Sequence, residues 1–263
     1  MSRPYFFIMK HLFVALIAFM SIMCVSLGCN ASRQNTRHAV PKNHSVEKND
    51  TIHESAEEKK TDPETIHRLT EQDYKEVAEE LGIEIATIKA VVEIEAGPGH
   101  EGFYKPGLPI INFDMSMFRR FAGKNGINLS KYNKSHAVVF SRPNASRYGS
   151  TQGAQQARFK AARTIDETTA IQGCFWGMFQ IGGFNWRKTG CSTIQEFLQK
   201  MSMSEREQLE LFARFITNSG MLKHLQNKNW AGFAKMYNGN SYARRGYHTR
   251  LANSYAKHKR SGN

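Results

Sequence analysis

A few side chains of this sequence carry groups that could act together on a substrate. Leu81, Ile85, Ile88 and Val92 recur at the three-and-four spacing of one helical stripe, and the next step along that stripe is Glu95. Burial disfavours the charged form of a carboxyl, so a glutamate aimed at the apolar side of its helix can stay protonated near neutral pH and serve as a general acid. Glu93 falls off the stripe, four residues after Lys89, where it is expected to pair in water. Further along, Asp114 stands at the exit of a short hairpin, Gln180 within the aromatic run Phe175–Trp186, and Tyr237-Asn238 before Gly239. An acid, a second carboxylate, polar side chains that fix a sugar and an aromatic wall such as Trp176 are the equipment of glycosidic bond cleavage. Each has a plainer reading. Glu95 could end its helix at an exposed edge, and Asp114 could cap the helix that follows it. Trp176, Phe175 and Phe179 could be core aromatics, Gln180 could satisfy backbone groups of its own turn, and Tyr237 could be a core tyrosine with its hydroxyl paired.

These residues must be positioned by a mainly α domain. Thr70 followed by Asp73 predicts a capped helix start, Gly82 its end, and the Glu95 helix runs on to Ala96 before the Gly97-Pro98-Gly99 breaker. Lys105-Pro106-Gly107 reads as the turn of a hairpin between Phe103-Tyr104 and Leu108–Phe113. Helices are expected over residues 115–123 and from about Gln152 to Ile171, with a loop-rich stretch over 124–150. Ser192 and Ser204 read as N-caps, the latter with Glu207 in capping-box position, and Phe212, Phe215 and Ile216 as core. Short helices near Trp230–Met236 and Tyr242–Tyr255 close the domain.

The domain occupies residues 67–258, with a basic tail over 259–263. Ahead of it, Arg3 and Lys10 precede an apolar run from Leu12 to Gly28. That run is shorter than the roughly 20 residues that span a bilayer and has the layout of a secretory signal. Its end, Ser26-Leu27-Gly28-Cys29, resembles a bacterial lipobox, which makes Cys29 the candidate lipidation site. Ordinary cleavage and an uncleaved anchor are the alternatives. Residues 30–66 are polar and nearly devoid of large apolar side chains, which predicts a disordered tether. Cys174 and Cys191 remain for the domain, as a disulfide or as two separate thiols. No Cys-x-x-Cys or His-Glu-x-x-His spacing argues for a metal, and no cofactor is expected. The chain carries a net charge of +13, with six Lys and Arg and no acid from Tyr242 onward. Such an excess favours an anionic partner. Behind an export signal that partner is the cell wall or a membrane surface, and nucleic acid is not expected.

The ordered blocks Ile88–Glu95, Phe175-Trp176-Gly177-Met178-Phe179-Gln180-Ile181, Met236-Tyr237-Asn238-Gly239 and Tyr242-Ala243-Arg244 with Gly246-Tyr247 closely resemble the N-acetylmuramidase family of phage endolysins and bacterial cell-wall enzymes. The resemblance covers roughly residues 68–258 and implies an α+β, lysozyme-like fold with the hairpin beside the cleft. It implies Glu95 as the catalytic acid, Gln180, Tyr237 and Asn238 as cleft residues, and peptidoglycan glycan strands as substrate. The family often carries Ser after the catalytic Glu and Glu at the hairpin exit; Ala96 and Asp114 stand there in this chain. The implied reaction is hydrolysis of the β-1,4 bond between N-acetylmuramic acid and N-acetylglucosamine. Lytic transglycosylation is the close alternative, and a wall-binding module without turnover the distant one. A monomer is expected, exported to the cell envelope and held at the membrane through its lipid anchor.

Overall fold

The computed structural model describes residues 65–97, 101–141 and 151–262. The expected signal segment, Cys29 and all but the last two residues of the tether lie outside the described residues. The domain begins with α1 (Glu71–Leu81), opened by the Thr70–Asp73 capping box and closed by Gly82 in the left-handed conformation. Then follow α2 (Ile85–Glu95), the strands β1 (Phe103–Lys105), β2 (Leu108–Pro109) and β3 (Ile111–Phe113), and α3 (Met115–Lys124). The chain continues through α4 (Ala137–Phe140), α5 (Gln152–Arg163), α6 (Glu167–Gln172), β4 (Cys174–Trp176) and β5 (Ile181–Gly182). Last come α7 (Ile194–Met201), α8 (Glu205–Asn218), α9 (Leu222–Gln226), α10 (Trp230–Asn238) and α11 (Tyr247–Ser261). The architecture is mainly helical, as the sequence implied, and carries two small antiparallel sheets where a single hairpin was expected.

The hairpin is there, β1 against β2, but the strand expected to continue from Leu108 to Phe113 is divided. Its second part, β3, leaves the hairpin and pairs with β4, Ile111 facing Trp176 and Phe113 facing Cys174, and β4 pairs onward with β5. On its other side no strand among the described residues pairs with β3. Glutamines of α5 complete its hydrogen bonding: Gln152 Oε1 accepts from Ile111 N at 3.0 Å, its Nε2 donates to Ile111 O at 3.0 Å, and Gln155 Oε1 accepts from Phe113 N at 2.9 Å. Gln156 reaches the hairpin through Pro109 O at 2.7 Å.

Three local expectations are corrected. The helix from Gln152 to Ile171 is two helices, because Asp166 leaves helical conformation and caps α6 through Thr169 N. Thr193, not Ser192, caps α7. Glu93 does not pair with Lys89. Lys89 bonds Glu71, and Glu93 accepts from Ser254, Lys257 and His258. The physical reason is that α11 lies along α2, the most extensive helix contact in the molecule, so an acid on α2 meets tertiary partners before it meets water. Within the core, α8 is buried nearly all round through Leu209, Leu211, Phe212, Ala213 and Ile216. Cys174 and Cys191 are both free and buried, the latter accepting from Thr189 Oγ1 at 3.3 Å.

Candidate active site

Glu95 is the last residue of α2. Val91 and Val92 beneath it are fully buried, and Glu95 itself is half-buried. Burial pushes its carboxyl up to about 7, against the opposing pull of a hydrogen bond from Asn238 and the positive charge of Arg250. Asn238 Nδ2 donates to Glu95 Oε1 at 3.1 Å. Asn238 closes α10 as Glu95 closes α2, so two helix C-termini bring the pair together. The other end of the Asn238 amide, Oδ1, is buried with no hydrogen-bond partner among the described residues. A buried acceptor left unmatched is costly, and a substrate N–H or O–H would satisfy it.

Tyr237 precedes Asn238 and fixes α10 from the other side. Its hydroxyl donates to Phe179 O at 2.6 Å, and its ring stacks with Phe233 and meets Phe212 edge-on. Burial and the nearby Glu95 raise its pKa well above the ordinary tyrosine value, so it remains a donor. Phe179 belongs to the turn that carries Gln180. Gln180 has φ +50, a left-handed conformation rare for a residue with a side chain, and its Nε2 donates to Gly177 O at 2.8 Å. Its side chain thus folds onto its own turn, as the plainer of its two sequence readings has it.

The turn is gripped from behind by a residue that sequence reasoning missed. Gln208 on α8 is fully buried; its Oε1 accepts from Met178 N at 2.9 Å, and its Nε2 donates to Met201 O at 2.9 Å and Gly102 O at 3.1 Å. One turn earlier Glu205 accepts from Gly102 N at 3.0 Å, from Leu69 N at 3.1 Å and from Arg68 at 2.8 Å. A β-carbon at Gly102 or at Gly177 would lie 2.6 Å from Gln208 Oε1, so both glycines are needed for this approach. No local signal marked them, since Arg206, Glu207 and Glu210 around them are polar too and remain partly exposed.

The remaining expected site residues lie elsewhere. Trp176 is a correction: it is 1% exposed, wedged between Phe159 and Phe197, with Nε1 bonded to Ile171 O at 3.0 Å. It sits in the central strand of its sheet, where both faces are covered, and presents nothing to a ligand. Asp114 follows β3 and caps α3, its Oδ1 accepting from Met117 N at 2.9 Å. Its charge acts on Cys174, whereas the charge acting on Glu95 is that of Arg250. Glu95, Asn238 and Tyr237 are therefore brought together, with the Gln180 turn joined to them through Phe179 O. Among the described residues no group of three His, Cys, Asp or Glu is placed to hold a metal ion.

A half-buried acid at a helix end, an amide clamped to it, and a glycine-bounded turn tied to the same helix by a tyrosine define a lysozyme-like domain. The family model for N-acetylmuramidase matches residues 84–259, and the chain belongs to that family. Among solved structures it is similar to that of the Burkholderia AP3 phage endolysin, with 32% sequence identity, a TM-score of 0.64, and coverage of 77% of this chain and 74% of that one. No curated protein matches the chain. Family and neighbour together support a peptidoglycan hydrolase.

Proposed function

We propose that this protein is a muramidase that cleaves the β-1,4 bond between N-acetylmuramic acid and N-acetylglucosamine in peptidoglycan strands. The observation that carries this reading is the carboxyl of Glu95, pushed up to about 7 by burial and held by Asn238. An acid that is still protonated near neutral pH can give its proton to the leaving glycosidic oxygen as the bond breaks. Asn238 keeps the acid oriented while its unmatched Oδ1 receives a donor from the sugar. Glu95→Gln keeps the acceptor for Asn238 but removes the proton, and is expected to abolish clearing in a peptidoglycan zymogram. Retention of more than half the activity would overturn the assignment.

A second reading has an observation of its own. Asp114 serves as a helix cap, and among the described residues the charge acting on Glu95 is that of Arg250 and not a carboxylate. A single acid suits lytic transglycosylation, in which it first gives its proton to the leaving glycosidic oxygen and then, as carboxylate, takes the proton of the muramyl 6-hydroxyl, which replaces water. Mass spectrometry of the digest separates the two: hydrolysis leaves reducing ends, and transglycosylation leaves anhydro ends lighter by one water. For the cell, the proposal is an exported lipoprotein anchored at Cys29, supported by the apolar run that ends there. Cys29→Ser is expected to release the protein from the membrane fraction; a wild-type protein already soluble with a free N-terminus would count against the anchor.

A further inference from the structure

Residues 211–263 hold ten Lys and Arg and not one Asp or Glu. Acids outside this segment take up some of these charges. Glu84 pairs with Lys228 and Lys259 at 2.6 Å each, Glu93 with Lys257 at 3.2 Å, and Glu210 with Arg214 at 3.9 Å. The pairs reveal how α11 lies on α2. Lys259 meets Glu84 just before the start of α2 and Lys257 meets Glu93 near its end, so the second half of α11 lies against α2. The beginning of α11 lies near the end of α2, since the charges of Arg250 and Glu95 act on one another and Glu95 also acts on Tyr247.

That beginning carries Arg250. Its side chain is exposed, its guanidinium carbon stands 5.5 Å from the ring centroid of Tyr247, and it makes no ion pair with a carboxylate among the described residues. Tyr247 is 4% exposed and lies close enough to Glu95 for the glutamate to raise its pKa. A buried aromatic ring thus fixes a cation beside the catalytic acid. For Glu95 alone this placement is adverse, since Arg250 favours the deprotonated form of the acid that must stay protonated. An anion delivered by the substrate would remove the conflict: with its charge matched, Arg250 would no longer draw the proton from Glu95. A guanidinium fork is the group best shaped to take a carboxylate with two parallel hydrogen bonds.

We propose that Arg250, seated on Tyr247, is the specificity contact for a carboxylate on the C3 substituent of the muramyl residue, so that the site selects anionic glycan over neutral N-acetylglucosamine polymer. The inference rests on the muramidase reading and adds the feature of the substrate that is recognised. Two carboxylates share this chemistry: those of the stem peptide, and that of the lactyl group once the peptide has been removed.

The test compares wild type, Arg250→Gln and Arg250→Lys of the full protein at a pH well below the Glu95 midpoint, where the acid is protonated in all three. Substrates are intact glycan strands bearing stem peptides, strands stripped of peptide by an amidase, and a neutral N-acetylglucosamine oligomer followed by turnover or by competition. Arg250→Gln is expected to lower the preference for anionic over neutral glycan by about tenfold, the scale of one charge-assisted hydrogen bond. Arg250→Lys, which keeps the charge without the fork, should fall between. A loss confined to intact strands assigns the stem carboxylate, and one confined to stripped strands assigns the lactyl group. A loss equal on all three glycans, or none on either anionic strand, would overturn the proposal. Because Arg250 is exposed, equal melting temperatures are expected for the three proteins. The muramidase reading itself fails separately, through an active Glu95→Gln variant.

Discussion

In the reaction proposed above, the carboxyl of Glu95 makes opposite demands on activity and on stability. Its folded pKa of about 7 lies above the ordinary value of 4.5, so between those limits the folded protein binds more protons than the unfolded chain, and stability falls as pH rises through the window. Glu95→Gln is therefore expected to raise the melting temperature at pH 7 while leaving it unchanged at pH 4, the sign expected of a residue retained for chemistry. Thermal denaturation at the two values checks this; a variant less stable than wild type at neutral pH would contradict the burial argument. Asp114 offers a cleaner discrimination. Asn caps a helix as well as Asp does, so if Asp114 only caps α3, Asp114→Asn leaves both lysis and melting nearly untouched. If it also activates water, turnover slows with no loss of stability, and a zymogram beside a melting curve separates the outcomes. At this scale the sequence was informative where the cue was local. The stripe that pointed Glu95 at the core needed only helical spacing, although Ile85 within it is 38% exposed. Trp176 was legible both as core and as a sugar wall, and a three-residue strand has too few positions to show whether one face or both will be covered.

Among the elements, those with covalently close signals were readable and those assembled from distant ones were not. Thr70, Asp73 and Gly82 delimit α1 within a dozen residues, and Pro106-Gly107 marks the hairpin turn. The β3–β4–β5 sheet joins residues 111–113 to 174–176, and no pattern inside either triplet declares that pairing. The glutamines of α5 and Gln208 of α8 are likewise ordinary polar residues until the backbone groups they serve come near. Gln208 makes this concrete. Gln208→Ala would leave Met178 N and Met201 O without their partners, take one of the two donors from Gly102 O, which keeps Ile110 N, and open a void beside Met201. A buried group losing its partner costs about 1–3 kcal/mol, so a loss of about 3 kcal/mol or more is expected by chemical denaturation. Gln208→Glu should recover only part of it: a carboxylate can accept from Met178 N but cannot donate to the two carbonyls. Equal stability of the alanine variant and wild type would show that the turn holds itself.

Across the whole molecule, α11, which buries Tyr247 and Leu251 in the core, is also fastened to α2 by charge. Lys228 and Lys259 hold the carboxyl of Glu84 down to about 2, and Lys257, His258 and Ser254 together outweigh the burial of Glu93 and lower it too. A depressed carboxylate contributes stability above its unfolded value of 4.5 and loses it as pH falls toward the folded value, because the unfolded chain then binds the extra protons. Acid is thus expected to loosen α11 between pH 4.5 and about 2, and Glu84→Gln should flatten the melting temperature across that window; an unchanged slope would place the acid sensitivity elsewhere. The residues this fastening holds over the site, Tyr247 and Arg250, belong to the same helix. The two free thiols bear on a different matter. Cys174 and Cys191 sit apart in the core, and burial raises both above the ordinary thiol value, which leaves little thiolate to react. The domain's fold therefore owes nothing to a cross-link. A reductant such as dithiothreitol is expected to change neither its melting temperature nor its lytic activity, and a drop in either would reveal a bridge. A domain built this way needs no oxidising compartment to reach its native state, so oxidation of its cysteines is not a step on which its activity waits.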